Sequence, residues 1–337
     1  MKNKEKILVY EWLRLFATIF VVIGHCSFIQ FGGVGYNLPQ NLSPIYSSSA
    51  FKFLRYFSDW VYCFHMPLFF ILSGAVLSLK PIPSFDAFCK SKAKRLLVPY
   101  FVYGLCFMLP IKYFANFYTK QTIYDAIRLF FINDNGGHLW FLFALFWCML
   151  AFVFIKKFLA RLNVNSTALL LLFSLLIQVN YKYLPFDFLE LKKGLAYIFY
   201  FSLGFAFEPI RKKCEQFSLA KRIILTIFCS ILLYFSCYKN FLLSPAATII
   251  VCSFWAFLLA LLAEKLFPNL YKNKIMQTIF KNLFYVYIFH DPLNYLFLRF
   301  SFENDLLCTN LGVCIFYFVR TFGVFFISVL LGEMVKK

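Results

Sequence analysis

Long apolar runs constrain this chain more than any other feature of its sequence. A helix needs about 20 mostly apolar residues to cross a bilayer, where a backbone has no hydrogen-bond partners except its own. Ten runs of about this length cover residues 7–29, 57–79, 96–116, 138–158, 165–183, 194–210, 222–238, 243–264, 283–300 and 311–334. The sequence therefore predicts an all-α, polytopic membrane protein with about ten transmembrane helices. We expect residues 1–337 to form a single membrane-embedded domain.

The basic residues indicate how these helices are oriented. If both termini are cytoplasmic, about two thirds of the 34 Lys and Arg residues lie at the inner ends of the runs, as the positive-inside rule requires. The net charge of +19 is divided among short clusters rather than gathered in a basic domain or arm. This distribution argues against a nucleic-acid partner and for the lipid bilayer as the surroundings of the chain. We expect both termini in the cytoplasm.

The first run carries ionisable residues on one face. Arg14 and His25 are eleven positions apart, which in a helix is three turns plus roughly 20° and about 16 Å along the axis. Glu11 stands one turn before Arg14 and can pair with it. Because charged residues are costly in hydrocarbon, they usually face a polar cavity. Alternatively, Glu11 and Arg14 pair at the inner interface and His25 lies at the outer one.

The second run contains three further polar candidates, Tyr62, His65 and Ser73. His65 and Ser73 are separated by about 80° around a helix, so both can border one cavity. The alternative for His65 is a packing histidine that is hydrogen bonded within the protein. For Ser73 and Gly74 the alternative is a close contact between helices, since small residues let two backbones approach each other.

A basic cluster precedes the third run at the predicted cytoplasmic face. It consists of Lys92, Lys94 and Arg95. Cations at this position can bind an anionic ligand that arrives from the cytoplasm. They are equally typical of a plain topology signal.

Two more groups of candidates lie in the fourth and ninth runs. His138 and Trp140 follow two glycines at the predicted outer face, where the alternative is a flexible turn with an interfacial Trp. Tyr287 and His290 lie in the ninth run, and His290 is followed by Asp291. This pair is too polar for contact with lipid alone, so we expect these side chains to line a cavity or channel.

The histidines give little support to a metal or haem site. The chain has four, His25, His65, His138 and His290, and no two share a predicted helix. A pair of haems held between two helices needs two histidines in each helix. His25, His65 and His138 can all lie in the outer half, which leaves zinc open, but no Cys or carboxylate spacing supports it. We expect no metal and no tightly bound cofactor.

Taken together, these stretches resemble the bacterial membrane-bound acyltransferase-3 family, and most closely its branch that acetylates sugars. The resemblance extends over most of the chain. It rests on Arg14-(x10)-His25, His65-Met66-Pro67, Phe69-Phe70-Ile71-Leu72-Ser73-Gly74, Lys92-x-x-Arg95 with Leu97-Val98-Pro99-Tyr100, Leu139-Trp140-Phe141-Leu142, and Tyr287-x-x-His290 with Pro292. One departure is Lys92, where the family often has Arg. Lysine keeps the charge but lacks the bidentate fork of arginine.

The resemblance implies transfer of an acyl group, commonly acetyl, from acetyl-CoA to hydroxyls of cell-envelope glycans or their lipid-linked precursors at the bacterial inner membrane. It implies a donor side formed by Arg14 and the basic cluster. A hydroxyl is a poor nucleophile until a base takes its proton, and neutral histidine suits that task, so we expect His25 to be the general base. Glu11 would orient Arg14, and His65 is a further catalytic candidate. The oxyanion that forms during transfer needs hydrogen-bond donors, for which Tyr62, His65 and Ser73 are the candidates. Some relatives carry a C-terminal esterase-like domain, which we do not expect here.

Two other functions remain open from the sequence. Buried Arg and His also suit a transporter or a flippase for a glycan or a lipid-linked sugar. Such folds often consist of two related halves, and no echo of the Arg14 and His25 helix occurs near residues 170–200. The third possibility is a non-enzymatic subunit of a glycan synthase.

Overall fold

The structure is a computed structural model of the 337-residue chain. It describes residues 7–27, 48–115, 117–118, 122–132, 136–163, 166–239, 243–301 and 309–336.

The described residues form thirteen helices. They are α1 (Leu8–Cys26), α2 (Ser49–Ser78), α3 (Phe85–Phe114), α4 (Ile123–Phe131), α5 (Trp140–Arg161), α6 (Thr167–Asn180), α7 (Leu191–Ala196), α8 (Ile198–Ala206), α9 (Glu208–Glu215), α10 (Leu219–Lys239), α11 (Pro245–Leu266), α12 (Lys274–Ser301) and α13 (Asn310–Val335). Three short 3₁₀ turns flank these helices. One precedes α5 (Gly137–Leu139), one follows α6 (Tyr181–Tyr183) and one precedes α12 (Leu270–Lys272).

The predicted all-α fold is confirmed, since the described part of the chain contains helices and no strand. A helix lies in each of the ten apolar runs. Seven helices in the described chain are long and apolar enough to cross a membrane. Helix α8 in the sixth run is not one of the seven because it has only nine residues. Helix α12 in the ninth run is not one of them because polar residues lower its hydropathy. The count of ten spans and the cytoplasmic position of the termini stay predictions.

Helix α1 packs against four other helices, α2, α11, α12 and α13. It runs parallel to α12 and in register with it. Arg14 donates to the carbonyl of Phe280 at 2.5 Å, and His25 contacts Asp291 at 3.1 Å, with the same numbering offset of 266 in both pairs. A constant offset is the mark of parallel helices, because the residue numbers of antiparallel partners change in opposite directions. Arg14 and His25 therefore lie on the same face of α1, as predicted.

Helix α3 is not a uniform α-helix. Two π-helical turns, Ala93–Leu97 and Gly104–Met108, divide it into three α-helical segments. Each π turn is closely followed by a proline, Pro99 or Pro110, whose ring cannot continue the regular hydrogen-bond ladder. A π turn includes an extra residue and so rotates every later side chain around the axis, which is why such turns are frequent at functional sites.

Helices α2 and α8 approach each other through two glycines. A Cβ atom at Gly74 would overlap the carbonyl oxygen of Phe201, and one at Gly204 would overlap that of Ile71. The backbones themselves are thus in contact, which is a common way for membrane helices to associate. The small-residue contact considered for Ser73 and Gly74 therefore exists at Gly74.

We expect Gly204→Ala to lower the free energy of unfolding by about 1–3 kcal/mol, the usual cost of overpacking a tight interface. The matched control is Gly323→Ala in α13, where the added Cβ meets the end of the Phe297 ring, a side chain that can move. Thermal unfolding of the detergent-purified variants measures the difference. Equal melting temperatures for the two variants would contradict the contact.

Candidate active site

A cavity of about 580 Å³ lies where α1 and α3 end and α5 begins. This volume falls in the range of small-molecule sites. All four histidines of the chain line it. Seven of the side chains singled out from the sequence meet here: His25, Tyr62, His65, His138, Trp140, Tyr287 and His290. Its other lining residues include Lys112, Phe117, Tyr197, Asp291, Asn294 and Tyr295.

The carboxylate of Asp291 is the centre of this cluster. The residue is 4% exposed, and its two oxygens face three different parts of the fold. Oδ1 lies 3.1 Å from His25 Nδ1 on α1. Oδ2 lies 2.7 Å from the ammonium of Lys112 on α3 and 3.1 Å from Nδ1 of His138. One buried charge thus joins α12 to three other segments.

His25 is held in one orientation by two contacts with α12. A carboxylate only accepts hydrogen bonds, so His25 donates to Asp291 from Nδ1 and leaves Nε2 with a free lone pair. The amide of Asn294 donates to the backbone carbonyl of His25 at 2.8 Å, in the last turn of α1, where helix carbonyls lack partners. Ring and backbone of His25 are therefore both fixed against the same helix.

Pro292 explains how His138 joins the cluster. Proline has no N–H, so the carbonyl of Ile288, four residues earlier in α12, loses its helical donor. Nε2 of His138 donates to that carbonyl instead, at 2.9 Å. The hydroxyl of Tyr287 in turn donates to the carbonyl of His138 at 2.6 Å. These two bonds fix the turn before α5 against α12.

His65 and His290 each use one ring nitrogen within their own helix. Nδ1 of His65 donates to the carbonyl of Val61 at 2.9 Å, and Nδ1 of His290 to that of Tyr287 at 2.7 Å. In its neutral form each ring therefore offers only a hydrogen-bond acceptor, Nε2, to a ligand. This makes neutral His65 unsuited to donating a hydrogen bond to an oxyanion. The Tyr62 hydroxyl and the Lys112 ammonium are donors in the cavity wall.

Sequence reasoning missed Lys112 as a site residue. The lysine is 3% exposed, and its ammonium also lies 4.9 Å from the ring centre of Phe117 and 4.7 Å from that of Tyr295. The signal was present, since Lys112 is a cation within the predicted third run. A buried charge in a membrane segment marks a functional site.

The remaining candidates lie outside the wall of this cavity. Arg14, with 41% of its side chain exposed, pairs with Glu11 at 2.6 Å and belongs to the other end of α1. The basic cluster lies early in α3, around its first π turn, and the ammonium of Lys92 is 5.1 Å from the Phe88 ring centre. Ser73 follows the cavity-lining part of α2 and, unlike His65, does not border the cavity.

Three of the histidines, His25, His138 and His290, contact one another or Asp291. The ring of His290 lies edge-on to those of His25 and His138, with centroids 4.8 and 5.1 Å apart. Among the residues that the structure describes, no three His, Cys, Asp or Glu side chains are arranged to hold a metal ion.

These features define a class of protein, a helical multi-pass membrane protein with a buried His-Asp pair in a cavity near one end of its bundle. A family profile described as an acyltransferase domain matches residues 7–333, and the chain belongs to this acyltransferase-3 family. Neither the comparison with curated proteins nor that with solved structures found a match. The family assignment makes the chain a membrane acyltransferase.

Removing one member of the Asp291–Lys112 pair leaves a buried charge without its counterion. We expect Asp291→Asn to lower the free energy of unfolding by about 3–5 kcal/mol, and Asp291→Asn with Lys112→Met to be more stable than Asp291→Asn alone. The matched control is Asp59→Asn, the same change at an exposed position of α2. Thermal unfolding in detergent measures all three. If the double variant is the least stable, the pair is not a coupled ion pair.

Proposed function

We propose that this chain is an O-acyltransferase of the bacterial inner membrane. It transfers an acetyl group from acetyl-CoA to a hydroxyl of a cell-envelope glycan or a lipid-linked glycan precursor. His25 acts as the general base, and Arg14 lies on the donor side. The family match to a membrane acyltransferase supports the class of reaction. Donor, acceptor and residue roles are our proposal.

The observation that carries the proposal is the hydrogen bond between His25 and Asp291. It orients the imidazole with Nδ1 protonated and Nε2 available to accept a proton. A carboxylate behind a histidine also stabilises the imidazolium that forms when the base is protonated. His25 lines the cavity, so its base is accessible to a bound hydroxyl. This is the arrangement that attack of a sugar hydroxyl on a thioester requires.

The proposed reaction is direct transfer. As the acceptor oxygen bonds to the thioester carbonyl carbon, Nε2 of His25 takes the hydroxyl proton. The resulting oxyanion needs hydrogen-bond donors, and the Tyr62 hydroxyl in the wall is a candidate. Collapse of the intermediate breaks the carbon–sulfur bond, and the imidazolium of His25 returns its proton to the departing thiolate. The products are an O-acetyl ester and free coenzyme A.

The charges at the opposite end of α1 suit the anionic donor. Arg14 is partly exposed, and the basic cluster of Lys92, Lys94 and Arg95 is in the predicted cytoplasmic part of α3. Cations at such positions bind the phosphates of coenzyme A. Arg14 and His25 are about 16 Å apart along the helix axis. The donor would therefore bind by its phosphates at the inner end while its slender thiol arm extends along α1.

Aromatic side chains suit a sugar acceptor. The rings of Trp140 and Tyr197 lie 6.1 Å apart in the cavity wall, with an interplanar angle of 32°. Flat apolar ring faces beside polar groups are typical of small-molecule sites that bind a partly apolar ligand. The Nε2 acceptors of His65 and His290 match the hydroxyl donors of a sugar.

We expect His25→Ala to fold and insert but to lose acetyl transfer by about 10²–10⁴-fold, the usual contribution of a general base. Membranes that contain the variant are incubated with radiolabelled acetyl-CoA, and label in the envelope glycan fraction is counted. The matched control is Thr18→Ala, two turns earlier on α1 and outside the cavity wall. Undiminished transfer by His25→Ala would remove His25 from the role of base. Mass spectrometry of surface glycan, with and without the gene, identifies the acceptor.

We expect Arg14→Ala to raise the KM for acetyl-CoA about tenfold or more, with a smaller effect on kcat. The reason is that a charge-assisted contact with phosphate contributes about 1.5–3 kcal/mol to binding. Arg14→Lys, which keeps the charge, is the control. Initial rates at varied acetyl-CoA give both constants. Unchanged KM and kcat would show that Arg14 does not serve the donor.

A further inference from the structure

We propose that Lys112 is a positioning residue whose ammonium keeps Asp291 ionised, so that His25 retains a free Nε2. The effect of Lys112 on catalysis rests on the proposed function. The charge state of Asp291 can be measured without any assay of activity. Lys112 acts through Asp291, and so it differs in role from the base itself.

The ammonium of Lys112 is surrounded by one carboxylate and two aromatic rings. It lies 2.7 Å from Asp291 Oδ2, and its side chain is almost fully buried. The rings of Phe117 and Tyr295, with centroids within 5 Å, present π faces that attract a cation. All three of these neighbours attract a cation, so the surroundings of Lys112 stabilise its charged form.

Two features of the backbone direct Lys112 towards Asp291. The π turn Gly104–Met108 ends four residues before Lys112, and its extra residue turns the last segment of α3 around the axis. Gly137, opposite, has a φ of +51°, and a Cβ atom there would lie 2.8 Å from the ammonium. Glycine thus supplies both the left-handed backbone and the space that the ammonium occupies.

Lys112 is the cation on which the charge of Asp291 depends. His25 in the proposed resting state is neutral and contributes a hydrogen bond only. The Nε2–H group of His138 donates to the carbonyl of Ile288. Nδ1 of His138 therefore attracts Asp291 only when the ring carries a second proton, on Nδ1. Without Lys112, a carboxylate at this depth would have no permanent cation in contact and would be costly to keep charged.

Loss of that charge would disable the base. A protonated Asp291 carries an O–H group, which donates to Nδ1 of His25. His25 then shifts its own proton to Nε2 and has no lone pair for the acceptor hydroxyl. Asp291 also interacts electrostatically with other titratable groups, none of which is a permanent cation: Cys26, Tyr62, Tyr118, Tyr287 and His290.

Infrared spectroscopy of the purified protein at neutral pH tests the charge state directly. A protonated carboxylic acid absorbs at a higher C=O stretching frequency than a carboxylate. We expect this band in Lys112→Met and its absence from wild type, from Lys112→Arg and from Lys112→Met with Asp291→Asn. A band from Asp291 in wild type, or none in Lys112→Met, would overturn the inference. If Lys112→Met is too unstable to purify, Lys112→Gln takes its place in the same comparison.

The acetyl-transfer assay gives a second, separable readout. We expect Lys112→Met to lose about 10²–10⁴-fold in kcat at neutral pH, since the base is disabled, with little change in KM for acetyl-CoA. Activity should recover as the pH rises and Asp291 ionises. An equally deep loss at every pH would assign Lys112 a different role. If His25→Ala transfers acetyl as well as wild type, the proposed function fails, while the infrared result still decides the charge of Asp291.

Discussion

The arrangement of this site depends on the contacts that the carboxylate of Asp291 makes with three other segments. This carboxylate is buried in α12, yet its oxygens contact His25 of α1, Lys112 of α3 and His138 before α5. A buried charge is tolerated only when polar partners surround it, so these three segments must meet at one point for the bundle to be stable. The same requirement brings the cavity-lining residues of four segments into one site.

Pro292 and the register between α1 and α12 prepare this meeting point. The proline frees the carbonyl of Ile288, which His138 then occupies, so an irregularity in one helix becomes the attachment point of the next segment. The parallel register places His25 beside Asp291 and Arg14 beside Phe280 with a single offset. Both ends of α1 are thus fixed against the same helix.

The helical class and the shared face of Arg14 and His25 could be predicted from the sequence, because apolar length and the period of 3.6 residues are local properties. The convergence of the four histidines could not be derived from periodicity, since they belong to four separate segments. Lys112 was missed because its inward direction depends on two π turns in α3, which no hydropathy pattern reveals. The angle between Ser73 and His65 around the helix predicted that both border one cavity. In the structure, the neighbouring Gly74 instead brings α2 into close contact with α8.

The distance between Arg14 and His25 constrains how a donor can be used. Both residues are fixed on α1, about 16 Å apart along its axis, and contacts with α12 hold each end. A ligand that binds by its phosphates near Arg14 can reach the proposed base only through an extended arm. Coenzyme A carries its thioester at the end of such an arm, whereas a compact acyl phosphate does not. If the phosphates of the donor bind near Arg14, as we propose, the fixed separation favours a thioester donor over a compact one.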